Sequence, residues 1–109
     1  MRPAHHLFPT LLLSLGLLAA CQQDPYQIRS YGDTAYGWAM EDRTSFCKLI
    51  AGSDRRLLGA HLMGPQASTL IQQLIQGMRV GLTVDQMASG QMYIHPALTE
   101  VVEQALLEL

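Results

Sequence analysis

Residues 44–64 read TSFCKLIAGSDRRLLGAHLMG, and this stretch decides the fold. Two short apolar runs, 44–51 and 57–63, flank the polar joint Gly52-Ser53-Asp54-Arg55-Arg56. Each run is too short for a helical stripe and rich in residues that suit a pleated surface. A glycine-led polar joint between two such runs predicts a β-hairpin. Cys47 falls inside the first run, where a plain buried thiol is expected, and His61 inside the second, where a structural role is expected.

Downstream, Gly64-Pro65 stops the strand and opens a helix, with Pro65 near its first turn, where a missing N–H does no harm. Ala67, Leu70, Ile71, Leu74, Ile75 and Met78 recur at three- and four-residue steps and predict one apolar face. Ser68, Gln72, Gln73 and Gln76 make the opposite face polar but uncharged, which suits water or a wet protein contact equally. Gly81 ends this helix. Thr83 and Gln86 form a capping-box pattern that starts a second, shorter one. After Ser89-Gly90, "QMYIHP" runs extended to a last helix with Val101, Val102, Ala105, Leu106 and Leu109 on one side. Upstream, "YQIRSYGDTAYGWAMED" (26–42) predicts an extended segment bent at its glycines. Strands followed by helices without β-α alternation imply an α+β fold, an antiparallel sheet with helices packed on one face. The domain occupies residues 26–109, and residues 1–25 form a separate apolar segment.

A chain of 109 residues, 49% hydrophobic, can bury one core and has no room for two. The formal charge is −2, and the seven basic residues do not cluster. Nucleic-acid binding requires a basic stripe and is not expected. Two distant cysteines, Cys21 and Cys47, without metal-ligand spacing make neither a zinc site nor a disulfide scaffold.

The segment "LFPTLLLSLGLLAA" (7–20), preceded by Arg2, His5 and His6, has two readings. A positive start and a leucine-rich centre are the parts of a secretory signal, and Leu18-Ala19-Ala20-Cys21 has the form of a lipobox, with lipid on Cys21. The run is short for a bilayer span, which needs roughly twenty apolar residues. Pro9 also breaks it, and little polar tether follows. On the other reading these leucines are the domain's own first strand or helix.

Near the end, "YIHPALTE" (93–100) places His95 before a proline and Glu100 in the first turn of a helix. Pro96 holds His95 extended, and a carboxylate at Glu100 suits the positive end of the helix dipole. If the chain folds back, the carboxylate meets one ring nitrogen and leaves the other facing outward in a defined tautomer, which is how a histidine is prepared for acid/base work. The alternative is a polar helix entrance. No nucleophile, metal cluster or phosphate loop accompanies the pair, so its site would lie partly on another domain or chain.

Ser45-Phe46-Cys47-Lys48, Leu57-Leu58-Gly59-Ala60 to Gly64, Gly81-Leu82-Thr83 and His95-Pro96 to Glu100, in this order, resemble the C-terminal dimerisation domain of the class I pyridine nucleotide-disulfide oxidoreductases. Within that family, "YGDTAYGWAMED" and "IHPALTEVVEQALL" look most like the mycothione reductase branch. Ala97 replaces the threonine of the family's H-P-T motif, and Thr99 stands where that branch is expected to have proline. The resemblance makes residues 1–25 an altered form of the domain's first strand. It implies a homodimer and a low-molecular-weight disulfide substrate. It further implies FAD and NADPH in the full-length enzyme, with none bound by this chain alone. His95 would be the acid/base supplied to the partner's thiol-disulfide site, with Glu100 orienting it. The C-x-x-x-x-C pair and any G-x-G-x-x-G are missing from the sequence, so the chain alone should not be an enzyme. The expected location is cytoplasmic. The competing expectation is a lipoprotein anchored through Cys21 that uses the fold as a binding or structural module.

Overall fold

The computed structural model describes residues 24–109. The apolar segment 1–25, apart from its last two residues, lies outside the described residues, and with it both readings of Cys21.

The expected hairpin is present. Strands β1 (Tyr26–Ser30), β2 (Phe46–Ala51) and β3 (Leu57–Met63) form an antiparallel sheet in the order β1-β2-β3. In the joint, Arg55 takes the left-handed conformation (φ 64°). Its N–H donates to the Gly52 carbonyl at 2.9 Å, and the Gly52 N–H donates to that of Arg56 at 2.9 Å. Ile50 faces Gly59 while Ala51 faces Leu57, so Leu58 is the extra residue of a bulge, and its side chain is exposed.

This register sorts the side chains. Cys47, Leu49 and Leu57 turn into the core with Ala60 and Leu62 packed beside them, whereas Tyr26, Ile28 and Met63 stay on the open face. His61 stands on that face opposite Lys48. The helices are α1 (Ala35–Ala39), α2 (Ala67–Val80), α3 (Val84–Ser89) and α4 (Thr99–Leu107). Helix α2 packs on β3, while α4 packs on β1, β2 and α3, so the core-facing side of the sheet is covered. Leu74, Val84, Val101, Val102 and Ala105 are fully buried there. Each such leucine or valine contributes roughly 1.5–3 kcal/mol relative to exposure. The α3 capping box forms as its sequence predicts. The Thr83 N–H donates to Gln86 Oε1 at 2.9 Å, and the Gln86 N–H to Thr83 Oγ1 at 3.2 Å.

Three local expectations are corrected. Residues 31–39 are not extended but form a 3₁₀ turn (Tyr31–Asp33) and then α1. Thr34 makes the difference: its hydroxyl donates to the Tyr31 carbonyl at 2.8 Å and accepts the Gly37 N–H at 3.1 Å, which starts a helix where glycine spacing alone suggested a bend. Gly37 is required because a Cβ there would collide with the Tyr31 carbonyl. Helix α2 begins at Ala67 rather than at Pro65, after Gln66 in the left-handed region (φ 57°). Its buried face is Leu70, Leu74 and Gly77, the last lying against Met87, while Ile75 and Met78 are exposed.

Candidate functional site

The loop between α3 and α4 is anchored before it reaches His95. The Tyr93 hydroxyl donates to the Met87 carbonyl at 3.0 Å, and the Gln91 side-chain amide donates to the Tyr93 oxygen at 2.8 Å. Burial pushes the Tyr93 phenol above its ordinary value of 10.0, so it remains a donor at neutral pH. Beyond the loop, α4 is held by its buried apolar side and by Arg29 of β1. That guanidinium donates to Gln104 Oε1 at 2.9 Å and to Glu108 Oε1 at 2.8 Å. Both ends of the segment "YIHPALTE" are therefore fixed to the sheet and its helices.

Between these anchors the two candidate residues meet. His95 Nδ1 lies 3.0 Å from Glu100 Oε1 across a cis His95–Pro96 peptide. The exposures are opposite: 71% of the His95 side chain is open to solvent against 9% of the Glu100 side chain. The Ala97 N–H donates to the same Glu100 oxygen at 2.9 Å, and the Glu100 N–H returns to the Ala97 carbonyl at 3.2 Å. Glu100 thus reaches back to the backbone ahead of α4, whose N-cap, Leu98, makes no side-chain hydrogen bond. A carboxylate can only accept, so its place beside Nδ1 favours the neutral tautomer with the proton on Nδ1 and the Nε2 lone pair outward.

His95 and Pro96 also form part of the wall of an open groove of about 590 Å³, shared with the 3₁₀ turn and α1 through Thr34, Tyr36 and Trp38. Sequence reasoning missed this neighbourhood. The glycine spacing of "DTAYGWA" predicts extension, and the one contrary signal is Thr34 three residues before Gly37, a cap pattern that lifts Tyr36 and Trp38 onto a helix. Trp38 is 77% exposed.

Two other reactive groups are put to structural use. Asp42 accepts from the Thr44 and Ser45 N–H groups at 3.0 and 2.8 Å and from the Ser45 hydroxyl at 2.6 Å, which together hold its carboxyl below 3.8. Cys47 is buried as its sequence context predicts, and desolvation pushes its thiol up to about 12, far from thiolate chemistry at neutral pH. Among the described residues, no group of three or more His, Cys, Asp or Glu side chains could hold a metal ion, and no helix is long and apolar enough to cross a membrane.

The three-stranded antiparallel sheet, covered on one side by helices, thus carries the His95–Glu100 pair at the entrance of α4. Residues 25–106 match the family described as pyridine nucleotide-disulphide oxidoreductase, dimerisation domain, and the chain belongs to it. It is 65% identical over 85 residues to mycothione reductase of Mycobacterium tuberculosis (strain CDC 1551 / Oshkosh), covering 76% of this chain and 18% of the relative. It is 35% identical over 82 residues to dihydrolipoyl dehydrogenase of Corynebacterium glutamicum, covering 72% and 17%. The crystal structure of LpdA from Mycobacterium tuberculosis superposes with a TM-score of 0.71 at 20% identity, covering 86% of this chain and 20% of that one, and shares the fold. The chain thus spans about a fifth of the length of these proteins.

Proposed function

We propose that residues 26–109 serve as the dimerisation domain of a flavin-dependent NADPH:disulfide reductase resembling mycothione reductase, and that His95 and Glu100 supply the acid/base pair of a thiol-disulfide site completed by the partner subunit. The observation that carries this reading is the buried Glu100 oxygen 3.0 Å from the Nδ1 of an exposed histidine. In that role Nε2 takes the proton of a thiol as its sulfur attacks the substrate disulfide. The attacking sulfur forms a new S–S bond, the old S–S bond breaks, and the departing thiolate takes the proton back from the imidazolium. Glu100 fixes the tautomer and stabilises the cation formed in between.

FAD and NADPH do not fit the described residues. The sheet is wholly antiparallel, without the strand, glycine-rich turn and helix that hold a dinucleotide pyrophosphate. On this reading both cofactors belong to other domains of the enzyme, which works in the cytoplasm. The outward side of α2, where Ile75, Met78 and Val80 stand among glutamines, and the open sheet face offer apolar area for a second copy.

The test is to combine the full chain with the FAD- and NADPH-binding portion of a mycothione reductase and follow NADPH oxidation by a low-molecular-weight disulfide. Turnover that appears with the chain and is lost with His95→Gln supports the reading. Stable association without turnover, or full turnover with His95→Gln, contradicts it.

A further inference from the structure

The segment 91–96 carries His95 on backbone that belongs to neither helix nor strand. Among the described residues, none of residues 91–96 joins a backbone–backbone hydrogen bond. Met92 and Ile94 are 85% and 61% exposed, so they hold the segment by little packing, and the side chains of Gln91 and Tyr93 are left to tie it down. Tyr93 does so in two ways. Its half-buried ring packs against the core, and its hydroxyl donates to the carbonyl of Met87, a buried residue of α3, at 3.0 Å. Gln91 extends the link, its amide donating to the Tyr93 oxygen at 2.8 Å and to Gln73 Oε1 of α2 at 3.3 Å. Burial holds the phenol above its ordinary 10.0 against the opposing Gln91 contact, and the Glu103 carboxylate of α4 adds to the rise, so the hydroxyl keeps its proton for Met87.

We infer that Tyr93 is a positioning residue for the acid/base step, its hydroxyl fixing where His95 stands while Glu100 fixes how the ring is turned. The inference rests on the proposed function of His95 and adds a residue that acts through it. The two tethers divide the work. Glu100, on the α4 side, meets the ring itself at Nδ1, 3.0 Å away. Tyr93, two residues before His95, holds the backbone, and so sets how far Nε2 stands from a thiol brought by the partner subunit. With 71% of its side chain open to solvent, His95 gains little positioning from packing of its own. Proton transfer needs heavy atoms within about 2.6–3.2 Å, and a displacement of about 1 Å leaves that range. The Gln91–Gln73 contact refers the same loop to α2, so two helices fix it rather than one.

The experiment is a double-mutant cycle on the full chain combined with the FAD- and NADPH-binding portion of a mycothione reductase. It measures kcat and KM for a low-molecular-weight disulfide with the parent, Tyr93→Phe, His95→Gln and the double variant, at a temperature where circular dichroism shows all four folded. Tyr93→Phe keeps the ring and its packing and removes only the hydroxyl. The expected result is a kcat lower by about three- to tenfold, the weight of one hydrogen bond expressed as a rate, with KM unchanged. In the His95→Gln background the same substitution changes nothing, because the hydroxyl acts through His95. Gln91→Leu, at an exposed position, gives the same pattern with a smaller loss. In the full chain alone, the heteronuclear nitrogen-15 NOE of the Ile94 and His95 amides falls in Tyr93→Phe. An unchanged kcat, an equal loss in both backgrounds, a change in KM alone, or an unchanged NOE overturns the inference. Full turnover by His95→Gln is the failure of the acid/base reading itself and takes the inference with it. That variant alone therefore tells the two failures apart.

Discussion

Two turns of this molecule are each organised by one carboxylate, and they differ in what the carboxylate is left to do. At Asp42 both oxygens serve the turn itself, accepting two backbone N–H groups and the Ser45 hydroxyl ahead of β2. At Glu100 one oxygen accepts the Ala97 N–H and also faces His95 Nδ1. The first arrangement closes on itself and only shapes the chain. The second uses a helix entrance as a mount for a side chain that projects into solvent. A carboxylate at a turn becomes a candidate functional group when one of its partners is itself a proton carrier with a free face.

That contrast is broken most severely at His95. In the assembled reductase, His95→Gln is expected to lower turnover by about 10²–10⁴, the usual contribution of a positioned acid/base group. Its melting temperature, followed by circular dichroism, should stay close to that of the parent because the ring is exposed. Glu100→Ala removes the mount as well. Turnover falls, and stability drops by about 1 kcal/mol, the typical net value of the hydrogen bond lost from the Ala97 N–H, measurable by urea unfolding.

Asp42→Asn should show the reverse profile, a lower melting temperature with the kinetics of the His95 step unchanged. The pH dependence follows from the sign of its shift. The folded carboxyl lies below its ordinary 3.8, so its stabilisation is whole above that value and is lost as the pH falls through the folded pKa. The difference in melting temperature between parent and Asp42→Asn is therefore largest above pH 3.8 and closes below it. The smallest effect comes from relieving the α4 entrance. Thr99→Val removes a hydroxyl that is buried without a hydrogen-bond partner, and is expected to be neutral or to add about 1 kcal/mol.

Much of the fold was legible because its signals are local. The hairpin follows from two apolar runs and a polar joint, α3 from the spacing of Thr83 and Gln86, and the buried side of α4 from Val101, Val102, Ala105 and Leu106. The residues of the candidate pair were legible for the same reason: a proline and a helix start confine them within six residues. What escaped depends on contacts between distant segments. Ile75 and Met78 fit the apolar period of α2 but lie off the face that meets β3. Gln91 and Tyr93 anchor the loop through the Met87 carbonyl, which periodicity does not report. The groove beside His95 needs α1 and the start of α4, more than fifty residues apart, to be brought together, and the sequence offered only Thr34 as a cap.

The most direct test of the central claim, that Glu100 holds His95 with Nε2 free, is the nitrogen-15 spectrum of the His95 ring in the full chain above its titration. The account predicts a protonated Nδ1 and a bare Nε2, with the preference weakened in Glu100→Ala. A ring that carries its proton on Nε2, unchanged by that substitution, would contradict it.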